Sequence, residues 1–390
     1  MRIGLFSDTY YPEINGVATS TKTLCDILKK KGHDVFVVTT NPFSKKIEFK
    51  DNVLRIPGIT LKILYSYEMA GFINPKATKV IKKLRLDIIH VQTEMGIGIY
   101  GRLLAKKLKI PLVYTYHTMY VDYTYIVTKG VLDPAAKGIV KKLSKSISSS
   151  VTELTTPSIK TKNALREYGV DRYINVIPNG INLSMFDESN INKQFIEEFK
   201  TKYNLHGKYI LLSLGRIAKE KANDVLLQGY ATFLKNPTID NSVLLIVGDG
   251  PDRPNLEKLT MELGISDHVI FVGKVPYEHV PYFYYMSNLY LSASTSETQG
   301  LTFIEAIAAK TLVLCRFDEN LEDVIQDNKT GFFFSNNDSF NQKLRYILSL
   351  SQEEQKDIIE KAYIQNKKYS VEEFYNSMIE VYYRALRKKW

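Results

Sequence analysis

The amino-acid sequence predicts an α/β protein made of two doubly wound, Rossmann-like domains that face a central cleft. The chain has 390 residues, which is more than one hydrophobic core ordinarily serves. Short runs rich in aliphatic and β-branched residues alternate with amphipathic stretches, as in a parallel sheet covered by helices on both faces. Because this alternating series occurs twice, we expect two such domains in tandem.

Each series contributes six predicted strands. The first has Ile3–Ser7, Asp34–Thr39, Val53–Ile56, Ile88–Gln92, Leu112–Tyr116 and Glu153–Thr156; the second has Ile210–Leu214, Val243–Val247, Val269–Val272, Leu289–Ser292, Leu312–Cys315 and Gly331–Phe334. The turn signal at Pro178-Asn179-Gly180 predicts one domain at residues 1–180 and another at 181–365. Residues 366–390 have helical periodicity with no following strand, and we expect this helix to cross back to the first domain.

Composition excludes several classes of protein. The sequence is 44% hydrophobic and 24% charged, which is ordinary for a soluble globular protein. It contains no run of 18 apolar residues, so we expect no transmembrane helix. Residues 1–6 have the pattern of a core strand and not of a secretory signal peptide. Cys25 and Cys315 lack metal-ligand spacing, which favours buried free thiols in a reducing cytoplasm.

Charge is distributed unevenly along the chain. The net charge is +10, but residues 1–180 carry 28 basic and 14 acidic residues, whereas residues 181–390 carry 24 and 28. A first half at +14 beside a second at −4 indicates that one half faces an anionic partner, either nucleic acid or an anionic membrane surface. The alternative is a lysine-rich solvated surface that has no partner.

The polar motifs lie directly after predicted strands, where doubly wound sheets bind their ligands. The first motif, residues 8–18, contains Gly16 at the start of a helix around Thr19–Lys31. A glycine there lets the backbone approach a phosphate, whose charge the helix dipole favours. The motif is not a dinucleotide fingerprint, because Gly-x-Gly-x-x-Gly is absent. The alternative is an ordinary turn glycine.

A second motif, residues 214–221, follows the first strand of the second domain. Its Arg216 and Lys221 could clamp a diphosphate, since Arg supplies a planar fork of donors and Lys a point charge. The alternative is a solvated charged loop.

A third motif, residues 296–305, carries two glutamates. Glu297 precedes a helix predicted at Thr302–Ala309, and Glu305 lies one turn inside it. The backbone N–H groups of Gly300, Leu301 and Thr302 form a ready anion site, and the Glu305 carboxylate could accept both hydroxyls of a ribose. For Glu305 alone, the alternative is a residue on the surface of a helix.

A fourth motif, residues 115–123, follows a strand of the first domain. We expect its His117 to reach the cleft, although a lone histidine is more often structural.

Together these motifs resemble the retaining glycosyltransferases of family four, which have the GT-B fold. The resemblance extends from Met1 to about residue 335, and the glutamate pair with the Arg/Lys loop is its most specific part. Within the family, the chain looks like the bacterial enzymes that glucosylate 1,2-diacylglycerol. The segments that carry the resemblance are Arg2–Tyr10, Asn15–Ser20, His117–Tyr123, Pro178–Ile181, Gly215-Arg216, Glu220-Lys221, Gly248–Pro251 and Glu297–Glu305.

The resemblance implies a role for each motif. Arg216 and Lys221 would hold the donor diphosphate, and Glu305 would bind the ribose. Glu297 would contact the donor sugar near the reacting carbon, and His117 would contact the sugar from the other domain. The first domain would then take the acceptor, and the second the nucleotide sugar. The donor implied is UDP-glucose, with UDP-galactose and GDP-mannose as alternatives, and the acceptor is 1,2-diacylglycerol.

Further contacts follow from the same resemblance. Those to the donor would come from Gly16, Lys274, Val275, Gly300, Leu301 and Thr302. Those to the acceptor would come from Tyr120, Asp122 and Tyr123. The chain departs from the subgroup at Val121 and Tyr125, where Glu and His are usual, so the acceptor is less firmly implied than the donor. It also has Ala309–Leu312 where Gly-x-Pro is usual, which alters a turn.

The chemistry of the motifs agrees with the implied reaction. Breaking a glycosyl phosphate bond leaves negative charge on the nucleotide, and two fixed cations with a helix N-terminus can stabilise it. Because no Asp-x-Asp stands in a suitable loop, we expect neither a metal nor any other cofactor. We expect front-face transfer, in which a donor phosphate oxygen takes the acceptor proton. The sequence leaves open a covalent intermediate on Glu297.

Two stretches have the pattern of basic amphipathic helices. Ala136–Val151 and Lys76–Arg85 each combine an apolar stripe with lysines, and each lysine near an anionic surface contributes about 1 kcal/mol. We therefore expect peripheral binding to the cytoplasmic face of the membrane, although helices with a solvated lysine face are the alternative. The lysines that we expect to contact lipid are Lys79, Lys82, Lys83, Lys137, Lys141, Lys142 and Lys145.

Three other hypotheses remain open. A relative in the same family could transfer a hexose to a soluble or polyprenyl-linked glycan. A sugar-nucleotide epimerase has a related architecture but gives no reason for the lipid-facing signals. A non-catalytic protein that binds membranes or nucleic acid would not need Arg216, Lys221, Glu297 and Glu305, and the sequence contains no recognisable nucleic-acid module.

Overall fold

The chain forms two compact units. In the computed structural model, the described residues are 1–388 except 14, 43, 62–66, 71–73, 118–132, 240, 295, 296 and 298, with the backbone alone for 59–61, 67–70 and 133–137. One unit consists of Met1–Gly180 with Val371–Trp390, and the other of Ile181–Ser370.

The first unit is built on a twisted sheet with the strand order β3-β4-β2-β1-β6-β7-β8-β9. All six strands predicted for this half are present. Three short strands were not predicted. β3 and β5 pair antiparallel with β4, so this edge of the sheet is mixed rather than parallel, and β9 pairs parallel with β8 at the opposite edge. β3 is exposed throughout and therefore lacks an apolar run. The strands are β1 Arg2–Phe6, β2 Asp34–Asn41, β3 Glu48–Lys50, β4 Val53–Leu61, β5 Tyr67–Ala70, β6 Ile88–Val91, β7 Leu112–Thr115, β8 Glu153–Thr156 and β9 Asn175–Val176.

Helices cover both faces of this sheet. Side chains alternate across β1, so Ile3 and Leu5 join the core under the first helix, and Phe6 joins the core on the opposite face with Tyr100. This burial on both faces explains why the strands appear in the sequence as continuous apolar runs. The helices of this part are α1 Gly16–Lys30, α2 Pro75–Leu84, α3 Gly96–Leu108, α4 Asp133–Ser149 and α5 Ile159–Glu167.

The second unit has a fully parallel six-stranded sheet with the order β12-β11-β10-β13-β14-β15. Its strands are β10 Tyr209–Leu214, β11 Ser242–Val247, β12 Val269–Gly273, β13 Leu289–Ser292, β14 Leu312–Arg316 and β15 Phe332–Phe334. All six lie where the sequence predicts strands. The order of connection reverses between β10 and β13, and a doubly wound sheet binds its ligands at such a switch point.

Seven helices of the described chain flank this second sheet. Leu211 and Leu291 pack on one face and Leu212 and Tyr290 on the other. The helices are α6 Lys193–Lys202, α7 Asn223–Leu234, α8 Arg253–Glu262, α9 Val280–Met286, α10 Leu301–Ala308, α11 Asn337–Ser349 and α12 Gln352–Asn366.

The last helix, α13 Val371–Arg387, belongs to the first unit. Phe374, Met378 and Tyr382 are buried there with residues of α1 and β1. The return to the first unit lies between Ser370 and Val371, so residues 366–370, which we grouped with the terminal helix, belong to the second unit. The reason is Tyr369, whose ring is buried in the second core and whose hydroxyl donates to the Asp323 carbonyl at 3.1 Å.

The structure also bears on the two cysteines and on the expected absence of a transmembrane helix. Cys25 and Cys315 are both buried free thiols, as predicted. Among the helices of the described chain, none is long and apolar enough to cross a membrane.

Candidate active site

The switch point of the second sheet brings two of the predicted motifs together. Lys221 follows β10 and Glu297 follows β13, and Lys221 Nζ donates to Glu297 Oε1 at 2.6 Å. Lys221 Nζ also lies 3.5 Å from Ser294 Oγ. The Glu297 side chain is 12% exposed and that of Lys221 32%, so the ammonium is the more accessible end of the pair.

Arg216 is exposed on the loop that also carries Lys221. This loop is held by its backbone, because Gly215 N donates to Val247 O and Ile217 N donates to Asp249 O, both at 3.0 Å. The approach is so close that a Cβ on Gly248 would lie 1.9 Å from the Gly215 carbonyl oxygen. Gly248 and Gly250 therefore have a structural role. Because they lack side chains, the loop that carries Arg216 and Lys221 can pack against them.

The start of α10 lies directly after the Glu297 loop. Gly300 precedes the helix with φ of 71°, and a Cβ there would lie 2.5 Å from Leu321 Cδ2, so only glycine fits. Within the described chain no side chain caps this end, and the first backbone N–H groups remain available to an anion. The helix begins at Leu301 and not at the predicted Thr302, so Leu301 and Thr302 form its first turn.

Glu305 is buried, which excludes the alternative of a surface residue. Its side chain accepts hydrogen bonds from two tyrosine hydroxyls, Tyr277 at Oε1 (2.9 Å) and Tyr284 at Oε2 (3.2 Å). Burial raises the pKa of Glu305 to about 7, although both hydroxyls favour the ionised form. Tyr284 is fully buried, but Tyr277 is 44% exposed. We did not predict either tyrosine, because nothing local in the sequence connects them to Glu305.

Two residues that the resemblance assigns to the donor, Lys274 and Val275, follow β12. Lys274 is exposed, and Val275 is half-buried against the second core. Both precede Tyr277 by only two or three residues, so this exposed tyrosine belongs to the same connection.

A further residue that we did not predict supports the Glu297 loop. Asn320, from the connection after β14, donates through Nδ2 to the main-chain carbonyl of Glu297. Its side chain is buried, so it fixes the loop rather than contacting solvent. Its position after the strand next to β13 was the only signal that could have identified it.

In the first unit, α1 begins at Gly16 rather than at Thr19. Asn15 caps the helix, since its side chain accepts from Ala18 N at 2.9 Å. Gly16 is exposed, has no left-handed φ, and a Cβ on it would meet nothing within 4 Å of the described chain. Neither packing nor backbone conformation therefore requires glycine at this position.

His117 is buried just after β7, with 8% of its surface exposed. Its Nε2 lies 2.7 Å from Gln92 Oε1. Burial lowers the pKa of His117 to about 4, so the imidazole is neutral at physiological pH. The acceptor residues Tyr120, Asp122 and Tyr123, with the departures at Val121 and Tyr125, lie outside the described residues.

The sequence predicts a site that needs no metal ion. Across the described ranges, no group of three His, Cys, Asp or Glu side chains is placed to hold a metal ion.

The donor residues implied by the resemblance are divided between the two units. Gly16 and His117 belong to the first unit; those of the second are Arg216, Lys221, Lys274, Val275, Glu297, Gly300, Leu301, Thr302 and Glu305.

Known protein families match both halves of the chain. Residues 14–185 match the model of Glycosyltransferase Family 4, and residues 195–365 match that of Glycosyl transferases group 1. An alpha-monoglucosyldiacylglycerol synthase of Acholeplasma laidlawii is 36% identical over 354 residues, which cover 89% of this chain and 88% of that protein. A protein of the same name from Streptococcus pneumoniae is 35% identical over 390 residues, covering 99% and 86%.

Solved structures agree on the fold. A sucrose-phosphate synthase from Thermosynechococcus elongatus superposes with a TM-score of 0.76 at 19% identity, over 99% of this chain and all of that one. HepE from Anabaena, solved in complex with UDP, superposes at 0.74 with 14% identity, over 98% and 99%. These neighbours establish the GT-B fold, and the full-length relatives establish the family. The chain is therefore a GT-B hexosyltransferase that belongs to the family of the bacterial alpha-monoglucosyldiacylglycerol synthases.

Proposed function

We propose that this enzyme transfers glucose from UDP-glucose to 1,2-diacylglycerol, with retention of configuration. The observation that carries the transferase chemistry is the Lys221–Glu297 pair, which sets a cation for the leaving diphosphate 2.6 Å from a carboxylate for the sugar. The substrates follow the names of the two relatives, which share 35–36% of their residues with this chain. Those names specify an α product, and the glucose of UDP-glucose is already α-linked.

The donor diphosphate is bound by positive charge. Lys221, Arg216 and the N-terminus of α10 stabilise the charge that develops on UDP as the glycosyl bond breaks. Lys221 is held on Glu297 before the donor arrives, so little reorganisation is needed for the reaction. These groups supply the stabilisation that a metal ion supplies elsewhere, and the proposal requires no metal.

The ribose is bound by Glu305. Its two carboxylate oxygens lie at the ends of hydrogen bonds from Tyr277 and Tyr284. Of the two, Tyr277 is the exposed residue, and we propose that the ribose hydroxyls replace its hydroxyl on Glu305. Lys274 and Val275, on the same connection, then flank the base.

The transfer breaks one glycosyl bond, forms another and moves one proton. The C1–O bond to the diphosphate breaks, a C1–O bond to the acceptor hydroxyl forms on the same face, and a donor phosphate oxygen takes the acceptor proton. Gly16 leaves room for the substrates, and Tyr120, Asp122 and Tyr123 are assigned to the acceptor. A covalent intermediate on Glu297 is the second route that this arrangement allows.

Helix α4 supports docking on an anionic membrane at the cytoplasmic face. Its Ile139 is 67% exposed and its Leu143 45%, although both are large and apolar. Lys141, Lys142 and Lys145 are exposed around them, and the side chain of Lys137 lies outside the described residues. Such a helix combines apolar insertion with attraction to anionic lipid.

Helix α2 supports a weaker role than the sequence predicted. Its Ala77, Ile81 and Leu84 are buried in the core of the first unit, so its apolar stripe cannot enter a membrane. Lys79, Lys82 and Lys83 are exposed, and they contribute attraction alone.

A donor-by-acceptor assay tests the proposed function. Purified enzyme is mixed with UDP-glucose, UDP-galactose or GDP-mannose as the donor. The acceptor is a soluble glycan, a polyprenyl-linked glycan, or vesicles of phosphatidylglycerol that do or do not contain diacylglycerol. We expect a glucosyl lipid only with UDP-glucose and diacylglycerol. Transfer to a soluble or polyprenyl-linked glycan, with none to diacylglycerol, would replace the proposed acceptor.

A further inference from the structure

A buried polar network lies behind His117 in the first unit. Gln92 directly follows β6, and its side chain lies between two histidines. Its Oε1 is 2.7 Å from His117 Nε2, and its Nε2 is 3.1 Å from each ring nitrogen of His90. All three side chains are buried, so water does not compete for these bonds.

His90, on the other side of the Gln92 amide, is itself part of a buried hydrogen-bond network. His90 is itself held at both nitrogens, by the Tyr382 hydroxyl of α13 at 2.8 Å and the Thr115 hydroxyl at 2.7 Å. Burial lowers the pKa of His90 to about 3, so its ring is neutral and carries a nitrogen that can accept. The structure places the Gln92 NH₂ group toward His90 and the Gln92 carbonyl oxygen toward His117.

An amide oxygen can only accept a hydrogen bond, so the hydrogen must lie on His117 Nε2. A neutral imidazole carries one N–H, and His117 Nδ1 is then an acceptor. Within the described chain, Nδ1 makes no hydrogen bond. His117 Nδ1 is thus a fixed acceptor. It carries no proton to donate, and the ring has no positive charge.

We propose that Gln92 is a positioning residue, which holds His117 in the Nε2–H tautomer so that Nδ1 accepts a hydrogen bond from a substrate hydroxyl. The substrate half of this statement rests on the proposed function; the tautomer half does not. His117 selects for a hydroxyl in this way, because a substrate without that hydroxyl leaves a buried acceptor unpaired. The C-terminal helix contacts the network only at His90, through the Tyr382 hydroxyl.

Histidine NMR tests the tautomer without any assay. The full-length chain is labelled with ¹⁵N-histidine, and the His117 signals, among six histidines, are assigned by their loss in His117→Asn. We expect a protonated Nε2 and an unprotonated Nδ1 in the wild type. The Nδ1–H tautomer in the wild type would overturn the proposal even if no variant could be purified.

Two substitutions at Gln92 test its role. Gln92→Leu removes the acceptor at similar volume and should give a mixture of His117 tautomers. Gln92→Glu keeps an oxygen in the same place and should retain the Nε2–H tautomer. Tyr382→Phe is the matched control, because it removes one hydrogen bond from the same network without contacting His117. Unchanged His117 signals in Gln92→Leu would show that another contact fixes the ring.

Turnover and nucleotide binding complete the test. Since a small displacement of a substrate-positioning group can cost up to a hundredfold, we expect Gln92→Leu to lower kcat about tenfold. UDP affinity should not change, because Arg216, Lys221 and Glu305 remain in place, and Gln92→Glu should restore most of the turnover. Full activity of Gln92→Leu with mixed tautomers would also overturn the proposal. A wild type that has the expected tautomer but transfers no glucose would contradict the proposed function alone.

Discussion

Lys221 Nζ lies 2.6 Å from Glu297 Oε1, although 76 residues separate them in the sequence. The parallel pairing of β10 with β13 places the loops that follow these strands side by side. In the proposed site, one loop brings the cation for a leaving diphosphate and the other a carboxylate for the sugar. The Glu297 side chain is largely buried, whereas that of Lys221 is more exposed. The Lys221 ammonium can therefore contact a phosphate while it stays hydrogen-bonded to Glu297.

Loss of either cation should slow the reaction. We expect Lys221→Ala and Arg216→Ala each to reduce kcat at least about tenfold, because each removes a charge directed at the leaving diphosphate. Lys219→Ala, in the same loop and exposed, is the control and should keep near-normal turnover. Steady-state kinetics with saturating UDP-glucose measures the effect, and near-normal turnover of both test variants would eliminate the proposed donor site.

Chelation should leave activity largely intact, since in the proposed mechanism protein cations and the N-terminus of α10 take the place of a metal. The measurement is the initial rate before and after dialysis against EDTA, with a sample returned to Mg²⁺ or Mn²⁺ as the control. Complete loss of activity with EDTA, restored by either ion, would contradict a metal-free mechanism.

Glu305→Gln should raise the stability of the fold at high pH but weaken the binding of UDP. The pKa of Glu305 is raised to about 7 by burial, above its unfolded value of about 4.5, so its ionisation opposes folding as pH rises through that window. The amide cannot ionise, and we expect a higher Tm than wild type at pH 8 but not at pH 4. UDP affinity should fall, because one acceptor for the ribose becomes a donor.

The wild type supplies the matching pH profile for Glu305. UDP affinity should weaken as pH falls through about 7, where the carboxylate gains its proton. Glu305→Gln should show no such step, and calorimetric titration at pH 6 and pH 8 measures both proteins. An identical pH dependence in the variant would assign the step to another group.

Gly16 and Gly300 should respond differently to alanine. Gly16→Ala meets open space, so we expect an unchanged Tm but a loss of turnover, because the methyl group would occupy substrate volume. Gly300→Ala is the contrast, since its Cβ would lie 2.5 Å from Leu321 Cδ2 at a left-handed φ, and its Tm should fall. Normal turnover of Gly16→Ala would make Gly16 an ordinary turn residue.

The basic half should dock the enzyme on anionic lipid. Replacing Lys137, Lys141, Lys142 and Lys145 with Ser should lower vesicle binding and lipid glucosylation together but spare UDP binding. Added salt should weaken wild-type binding, since the Debye length is about 8 Å at physiological ionic strength. Residual binding should remain through Ile139 and Leu143, whose apolar contacts salt does not screen.

The control for membrane docking is an equal loss of charge on the second unit. Serine replaces four exposed lysines there: Lys258, Lys329, Lys356 and Lys361. Co-sedimentation with phosphatidylglycerol and with zwitterionic vesicles compares the three proteins. Equal binding to both lipids, unaffected by salt or by the α4 changes, would leave α4 an ordinary solvated helix.

The sequence by itself determined the fold and the location of the motifs. Twelve apolar runs between helical stretches marked twelve of the strands, because burial on both faces leaves a continuous local pattern. The short strands β3, β5 and β9 left no such pattern: β3 is exposed throughout, β9 has only two residues, and β3 and β5 pair antiparallel with β4. The chain's own residues placed Arg216, Lys221 and the glutamates after strands, where a doubly wound sheet binds its ligands.

Only the tertiary structure decided how those residues are partnered. Glu305 appeared in the sequence as a residue on a short helix, but Tyr277 and Tyr284 bury and bind it. His117 appeared as a lone histidine, but in the fold it is hydrogen-bonded to Gln92. The physical reason is that periodicity reports which face of an element is buried, whereas hydrogen-bond partners depend on strand order, which joins residues far apart in the chain.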